Sequence, residues 1–321
     1  MHKGTESQTT PPSLPPELFW KKYIDPLSGV TFPAVSVKRS AYTLRGHDPD
    51  FAPHYEGVNP LWYTVVVSYS GFAGEQELYK HSPKMLIRNR SELMEFISGQ
   101  PGWHEFNLER DIETACRTYE LALGYTHFLR VSRYEVASLA LKASWVYTQW
   151  AETGHQPAND QSRVMRQIAL KHYLESYEKE DNSDKRFGSA GVTYLIAELM
   201  REQGSFDESL AWFSRALTDS QVRGEVKRLA QNQRELCRKQ RENALTGGEY
   251  SKPKPERRQE RAVYQLFSDQ TRWLKTGSKL SESELLRAIL DGMMQAGVDP
   301  ERFATPEKLA AWLSEILRDE G

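Results

Sequence analysis

Little in this sequence points to chemistry, and each absence narrows what the protein can be. No apolar run approaches the roughly 20 residues that span a bilayer, and the first residues lack the continuous apolar core of a signal peptide, so the chain is expected in the cytoplasm. Cysteine is scarce: Cys116 and Cys237 are the only two, far apart and both in helical contexts, which suits reduced thiols rather than a disulfide. A reactive thiol would need an electropositive helix start beside it, and neither cysteine has one. Charge of one sign is lacking as well. Lys and Arg total 42 against 44 Asp and Glu, and a net charge of −2 provides no general attraction to nucleic acid or anionic membrane. There is no Gly-rich phosphate loop, no nucleophile elbow, no His-Glu-x-x-His and no Cys–His pairing at suggestive spacing. Adjacent carboxylates such as Asp207 and Glu208 are explained by helix capping. These absences lead to the expectation of a protein that is not an enzyme and carries no cofactor and no metal.

What is present is helical patterning at a length, 321 residues, that buries a sizeable core and allows two or three domains. The stretch Gly191 to Ser220 reads as two helices joined by a tight turn. Tyr194, Leu195, Leu199 and Met200 recur at helical spacing up to Gly204, which can take the left-handed conformation that ends a helix. Ser205 is placed to cap the next helix with Glu208 reaching back, and Phe206, Leu210, Trp212, Phe213 and Leu217 form its apolar face. Small Ala197, Ser209 and Ala216 would let the two helices cross closely. This unit resembles a tetratricopeptide repeat, with Ile196 and Ala197 in its Leu-Gly positions and Ser209, Phe213 and Ala216 in its small, aromatic and small positions. The same triplet recurs as Ala115, Tyr119 and Ala122 and as Ala169, Tyr173 and Ser176, at intervals longer than one standard repeat. The expectation is a mainly α fold: an irregular tetratricopeptide-like helical-repeat stack with a small N-terminal β lobe and a C-terminal helical bundle.

In order, residues 1–18 are rich in Ser, Thr and Pro and are expected to form a disordered tail. Residues 19–73 change to short β-type runs: Val30, Phe32, Val35 and Val37, then a stronger strand from Trp62 to Val67, separated by the turn-rich HDPDFAPHYEGVNP. Residues 74–241 read as the helical domain. Within it, 74–99 reads as one or two helices broken at Pro83, 105–129 as a long helix and 134–152 as the next. An insertion follows at 154–161, and 222–241 reads as a last polar helix suited to capping the stack. Residues 242–256, with TGGEYSKPKPE, form a linker, and 257–321 a C-terminal helical module.

The runs DPLSGVTFPAV and DPDFAPHYEGVNPLWYTVVVSYSGFA, followed by YLIAELMREQG and WFSRAL, resemble the bacterial family called domain of unknown function 2225, over about residues 23–240. That resemblance implies two Cys-x-x-Cys knuckles in the β lobe, whose thiolates would hold one zinc. Here the corresponding positions are Asp25 and Ser28, then Val67 and Ser70, so the ligands of a degenerate zinc ribbon have been lost while Gly29 and Gly71 of its turns persist. Asp25, His47, Asp48, Asp50 and His54 offer another ligand set for a hard cation, although Asp beside Pro and Gly also serves turns directly.

The leading functional expectation is a cytoplasmic, non-catalytic helical-repeat scaffold or adaptor that binds a protein or peptide. The alternative is a nucleic-acid-associated regulator acting through the basic linker, with Arg234, Arg238, Lys252, Lys254 and Arg257 among its cations, and the C-terminal module, which is also a candidate for dimerisation. In such stacks the first helix of each pair lines the concave face. The candidate partner groove is therefore Tyr194, Glu198 and Arg201, with Thr148 at a similar place in the preceding pair.

Overall fold

The computed structural model describes residues 13–79, 87, 90–98, 106–185, 188–220, 222 and 224–246. The expected C-terminal bundle, the linker from residue 247 onward and the Pro83 break lie outside the described residues, as does most of the expected N-terminal tail. The fold is mainly α, with an N-terminal β lobe followed by a helical stack.

The lobe is three antiparallel hairpins, each a separate two-stranded sheet. Strand β1 (Leu18–Ile24) pairs with β2 (Thr31–Val37), β3 (Tyr42–His47) with β4 (Pro53–Gly57), and β5 (Val65–Val67) with β6 (Ala73–Glu75). The strand expected over Trp62–Val67 begins instead with a 3₁₀ turn, Pro60–Tyr63. The reason is local: the Asn59 side chain caps Leu61 N–H and Pro60 takes a first-turn position where its missing N–H costs nothing. Among the described residues of 74–99, the expected helices give way to β6, a 3₁₀ turn at Gln76–Tyr79 and helix α1 (Arg90–Ser98). Here the edge of β5 captures the chain as a ladder partner, and Tyr79 Oη locks the hairpin by donating to the carbonyls of Val66 at 2.8 Å and Phe72 at 2.9 Å.

Helix α2 (Ile112–Tyr125) starts only where the Asp111 carboxylate accepts Thr114 N–H, seven residues later than periodicity indicates. Helix α3 (Arg133–Glu152) opens with a full capping box between Ser132 and Glu135. The expected insertion at 154–161 is only a short turn. Gly154 closes it at φ 99°, and helix α4 (Pro157–Lys179) restarts at once with Pro157 in its first turn. Helices α5 (Gly188–Glu202) and α6 (Phe206–Thr218) flank Gly204, at φ 81°, as expected. The Ser205 cap does not form; that turn is held by backbone bonds from Ser205 N–H to Met200 O and Gly204 N–H to Arg201 O. Helix α7 (Gly224–Leu245) covers the end of the stack through Val226, Ala230 and Cys237.

All nine residues of the three small–aromatic–small triplets are buried, on α2, α4 and α6. Close approach is visible where Ser209 Oγ of α6 donates to Ala197 O of α5 at 2.7 Å and Ser162 Oγ of α4 to Ser144 O of α3 at 3.0 Å. The lobe shares its core with the first helices: Phe32, Val65 to Val67, Phe72 and Tyr79 pack in one cluster with Leu93, Tyr119 and Tyr125. The buried Arg110 guanidinium joins the two by donating to the carbonyls of Phe106, Trp62 and Val65 and lying over the Tyr63 ring; burial lowers its pKa to about 10.

Candidate functional site

The stripe read from the sequence does not form an open groove. Tyr194 and Glu198 are fully buried, and the four residues serve three different contacts. Thr148 lies at the α3–α4 crossing, where its hydroxyl donates to Ser144 O and meets Ser162 Oγ. Glu198 and Arg201 form a bidentate ion pair inside the fold, at 2.6 and 2.9 Å, and Arg201 also donates to Gln240 of α7 at 2.9 Å. Burial opposes the Arg201 charge, but Glu198 outweighs it and holds the guanidinium pKa above its ordinary value. The physical reason is α7: once this helix covers the α5–α6 pair, residues on the outward stripe of α5 become an interface.

Tyr194 meets another part of the chain. The turn between β3 and β4 is seated against α3, α4 and α5. Tyr194 Oη donates to Pro49 O at 2.7 Å, and the Phe51 ring lies against the Tyr194 ring at 5.5 Å. The Asp50 carboxylate, 2% exposed, accepts through one oxygen from Trp145 Nε1 at 2.9 Å and Arg166 Nη1 at 2.7 Å. Its other oxygen accepts Ala52 N–H, fixing the turn. Phe51 takes φ 69°, alone among the described non-glycine residues in the left-handed region, a conformation that persists only where surroundings over-determine it. The seat therefore holds a carboxylate and an aromatic ring on adjacent residues.

Its electrostatics involve three acids and two bases. Arg166 also donates to Glu202 at 2.6 Å, so one guanidinium serves both Asp50 and Glu202, while Arg201 is committed to Glu198. Burial opposes the Arg166 charge, but Glu202 and Asp50 hold its pKa above the ordinary value. Glu202 is the surplus carboxylate. Its burial, reinforced by Asp50 and Glu198 against the pull of Arg166, pushes its pKa up to about 7. Sequence reasoning placed the HDPDF turn among the β elements and missed this site, because nothing local pairs Asp50 with Arg166, 116 residues away.

The positions that the sequence reading assigned to degenerate knuckles also come together. Asp25 Oδ1 accepts from Leu27 N–H at 2.9 Å and Ser70 Oγ at 3.0 Å, and Oδ2 from Ser70 N–H at 2.9 Å. Gly29 and Gly71 hold the two turns at φ 76° and 85°. A carboxylate, hydroxyls and amides thus bridge the β1–β2 and β5–β6 hairpins. The alternative cation ligands do not assemble: Asp25 faces Ser70, Asp50 faces the helices, and Asp48 pairs with His54 on the exposed arm at 2.9 Å. Among the described residues no group of three or more His, Cys, Asp and Glu is placed to hold a metal.

A cleft of about 190 Å³ between α2, α3 and the start of α4 brings Cys116 near His155, Glu113, Glu120 and Trp150. Burial, then the charges of Glu120, Glu113 and Asp111, raise the Cys116 pKa far above the usual thiol range, which disfavours the thiolate form a nucleophile needs. The flat stack of His155 on Trp150, at 4.1 Å, and the bond from Tyr147 Oη to Glu120 fill much of its wall.

Among the described residues no helix is long and apolar enough to cross a membrane. Neither a curated protein nor a solved structure matches this chain. The model of a family described as an uncharacterized protein conserved in bacteria, DUF2225, matches residues 18–237, which takes in all three hairpins and α1 to α6. The chain belongs to this bacterial family, domain of unknown function 2225.

Proposed function

We propose that this protein is a non-catalytic, cytoplasmic scaffold whose tetratricopeptide-like helical stack binds a protein or peptide partner. The observation that carries the reading is the seat on α3, α4 and α5. There the stack grips Pro49, Asp50 and Phe51 through side-chain groups of Trp145, Arg166 and Tyr194, which are contacts suited to reading a peptide. The buried triplets on α2, α4 and α6 support repeat-like packing beneath that face. The near-neutral charge favours a protein over a phosphate backbone.

The test is affinity capture with the full chain, before and after nuclease and at low and high salt. A protein partner is retained after nuclease, and its binding changes modestly with salt. Partners lost on nuclease treatment, with affinity falling steeply as salt rises, overturn the scaffold reading in favour of nucleic-acid association.

A further inference from the structure

We propose that the seat formed by Trp145, Arg166 and Tyr194 is a recognition site for an Asp-aromatic segment of a partner protein, and that the β3–β4 arm occupies it in cis until such a segment displaces it. This rests on the scaffold reading and names the chemistry of its partner.

The arm is built like a strap. Strands β3 and β4 bond to each other, most of their side chains are exposed, and Leu44 is among the exposed apolar residues. Burial is greatest at the tip, at Asp50 and Ala52, while Tyr55 of β4 is partly buried against the core shared with the first helices. Its base is fixed: Val58 N–H donates to Ala41 O at 3.0 Å, and a Cβ on Gly57 would come within 2.3 Å of that same carbonyl oxygen. A fixed base and a mostly exposed shaft concentrate the arm's buried contacts at the tip and at Tyr55, so those are what must give when the tip leaves.

The seat reads two adjacent residues. Two converging N–H donors on one carboxylate oxygen, one of them charged, favour Asp over an amide, while the Tyr194 ring, backed by Phe213 at 5.9 Å, offers an aromatic platform. The cis occupant is an imperfect ligand, because the reversal of the arm puts Phe51 in the left-handed region. A segment that crosses the seat without reversing avoids that strain. Vacating the seat does not strand a bare cation, since Arg166 keeps Glu202 at 2.6 Å. The tethered tip competes at an effective concentration on the order of millimolar, so a trans segment must be the better ligand.

The experiment uses the full chain and a fluorescent peptide of residues 45–55. In the variant Asp50→Ala/Phe51→Ala the seat is vacated, and the peptide should bind it at least tenfold tighter than wild type. Adding Arg166→Ala should lose at least tenfold of that binding, and a peptide carrying Asn at the Asp50 position should bind as poorly. A vacated variant that folds and does not bind the peptide overturns the proposal, as does equal binding to wild type, which would place the peptide elsewhere. If the double variant fails to fold, Asp50→Asn is read by the same criteria, since its single amide oxygen can accept either from Ala52 N–H or from Trp145 and Arg166 but not from both sides, which weakens the tip's hold on the seat without removing a side chain. A captured partner that is retained after nuclease and binds wild type and vacated variant equally, with no peptide binding, overturns this seat and leaves the scaffold reading standing. Partners lost on nuclease overturn the scaffold reading itself.

Discussion

Glu198→Ala separates an open groove from the interior ion pair that replaces it. On an exposed stripe the loss of one carboxylate shifts stability within about 0.5 kcal/mol. In this fold Glu198 is fully buried and accepts two of the three hydrogen bonds that Arg201 makes, while the Arg201 side chain is only 11% exposed. The alanine therefore leaves a desolvated guanidinium with its hydrogen bond to Gln240 and only the more distant charge of Glu202, and breaking a buried pair in this way costs about 3–5 kcal/mol. For a unit of 150–250 residues each kcal/mol lowers Tm by about 2–4 °C, so the variant should melt roughly 6–20 °C below wild type. The assay is thermal unfolding by circular dichroism, with urea titration to show that the m-value is unchanged. Glu198→Leu/Arg201→Met should recover most of the loss, because an apolar pair of similar volume has no charge to strand. A Glu198→Ala variant melting within about 2 °C of wild type would refute the buried pair and restore the exposed stripe.

Three further outcomes are expected. Because the folded state holds the Glu202 proton more tightly than the ordinary pKa of 4.5, wild-type stability falls as pH rises from about 4.5 to about 7 and changes little through this group above that. With the side chain 29% exposed, the effect should be about 1–2 kcal/mol; Glu202→Gln should flatten the slope and exceed wild type at pH 8, and an unchanged slope sinks the assignment. Ala216→Trp should cost at least about 1–3 kcal/mol by overpacking the α5–α6 crossing, read as a lower urea midpoint, whereas a wild-type midpoint contradicts its burial. Asp25→Ala removes the acceptor of Ser70 N–H and Leu27 N–H and should cost about 1–3 kcal/mol, with no stoichiometric zinc in either protein by elemental analysis; one zinc per chain refutes this account of the hairpin turns.

The stack and its turns were legible because their signals are local. Helical spacing around Tyr194 to Met200, the stop at Gly204 and the small–aromatic–small triplets depend only on backbone geometry and side-chain size over a few residues, and all are found where the pattern puts them. Short-range competition explains several misses. Asn59-Pro60 starts a 3₁₀ turn inside an apolar run, Ser132 rather than Ser205 forms the capping box, and β6 forms because β5 offers it an edge.

The site lay beyond this reach. From sequence alone, Tyr194, Glu198 and Arg201 are a polar stripe on a helix and HDPDF is a turn in a β lobe, and both descriptions are locally correct. Only the tertiary structure puts α7 over Glu198 and Arg201 and seats Asp50 between Trp145 and Arg166. Burial and ion pairing depend on what arrives from distant chain, and the partners here stand 39, 95 and 116 residues apart. Periodicity determines which face of a helix can be covered, but the covering segment, and with it the conversion of a surface stripe into an interior ion pair and an occupied seat, is decided by packing across the whole chain.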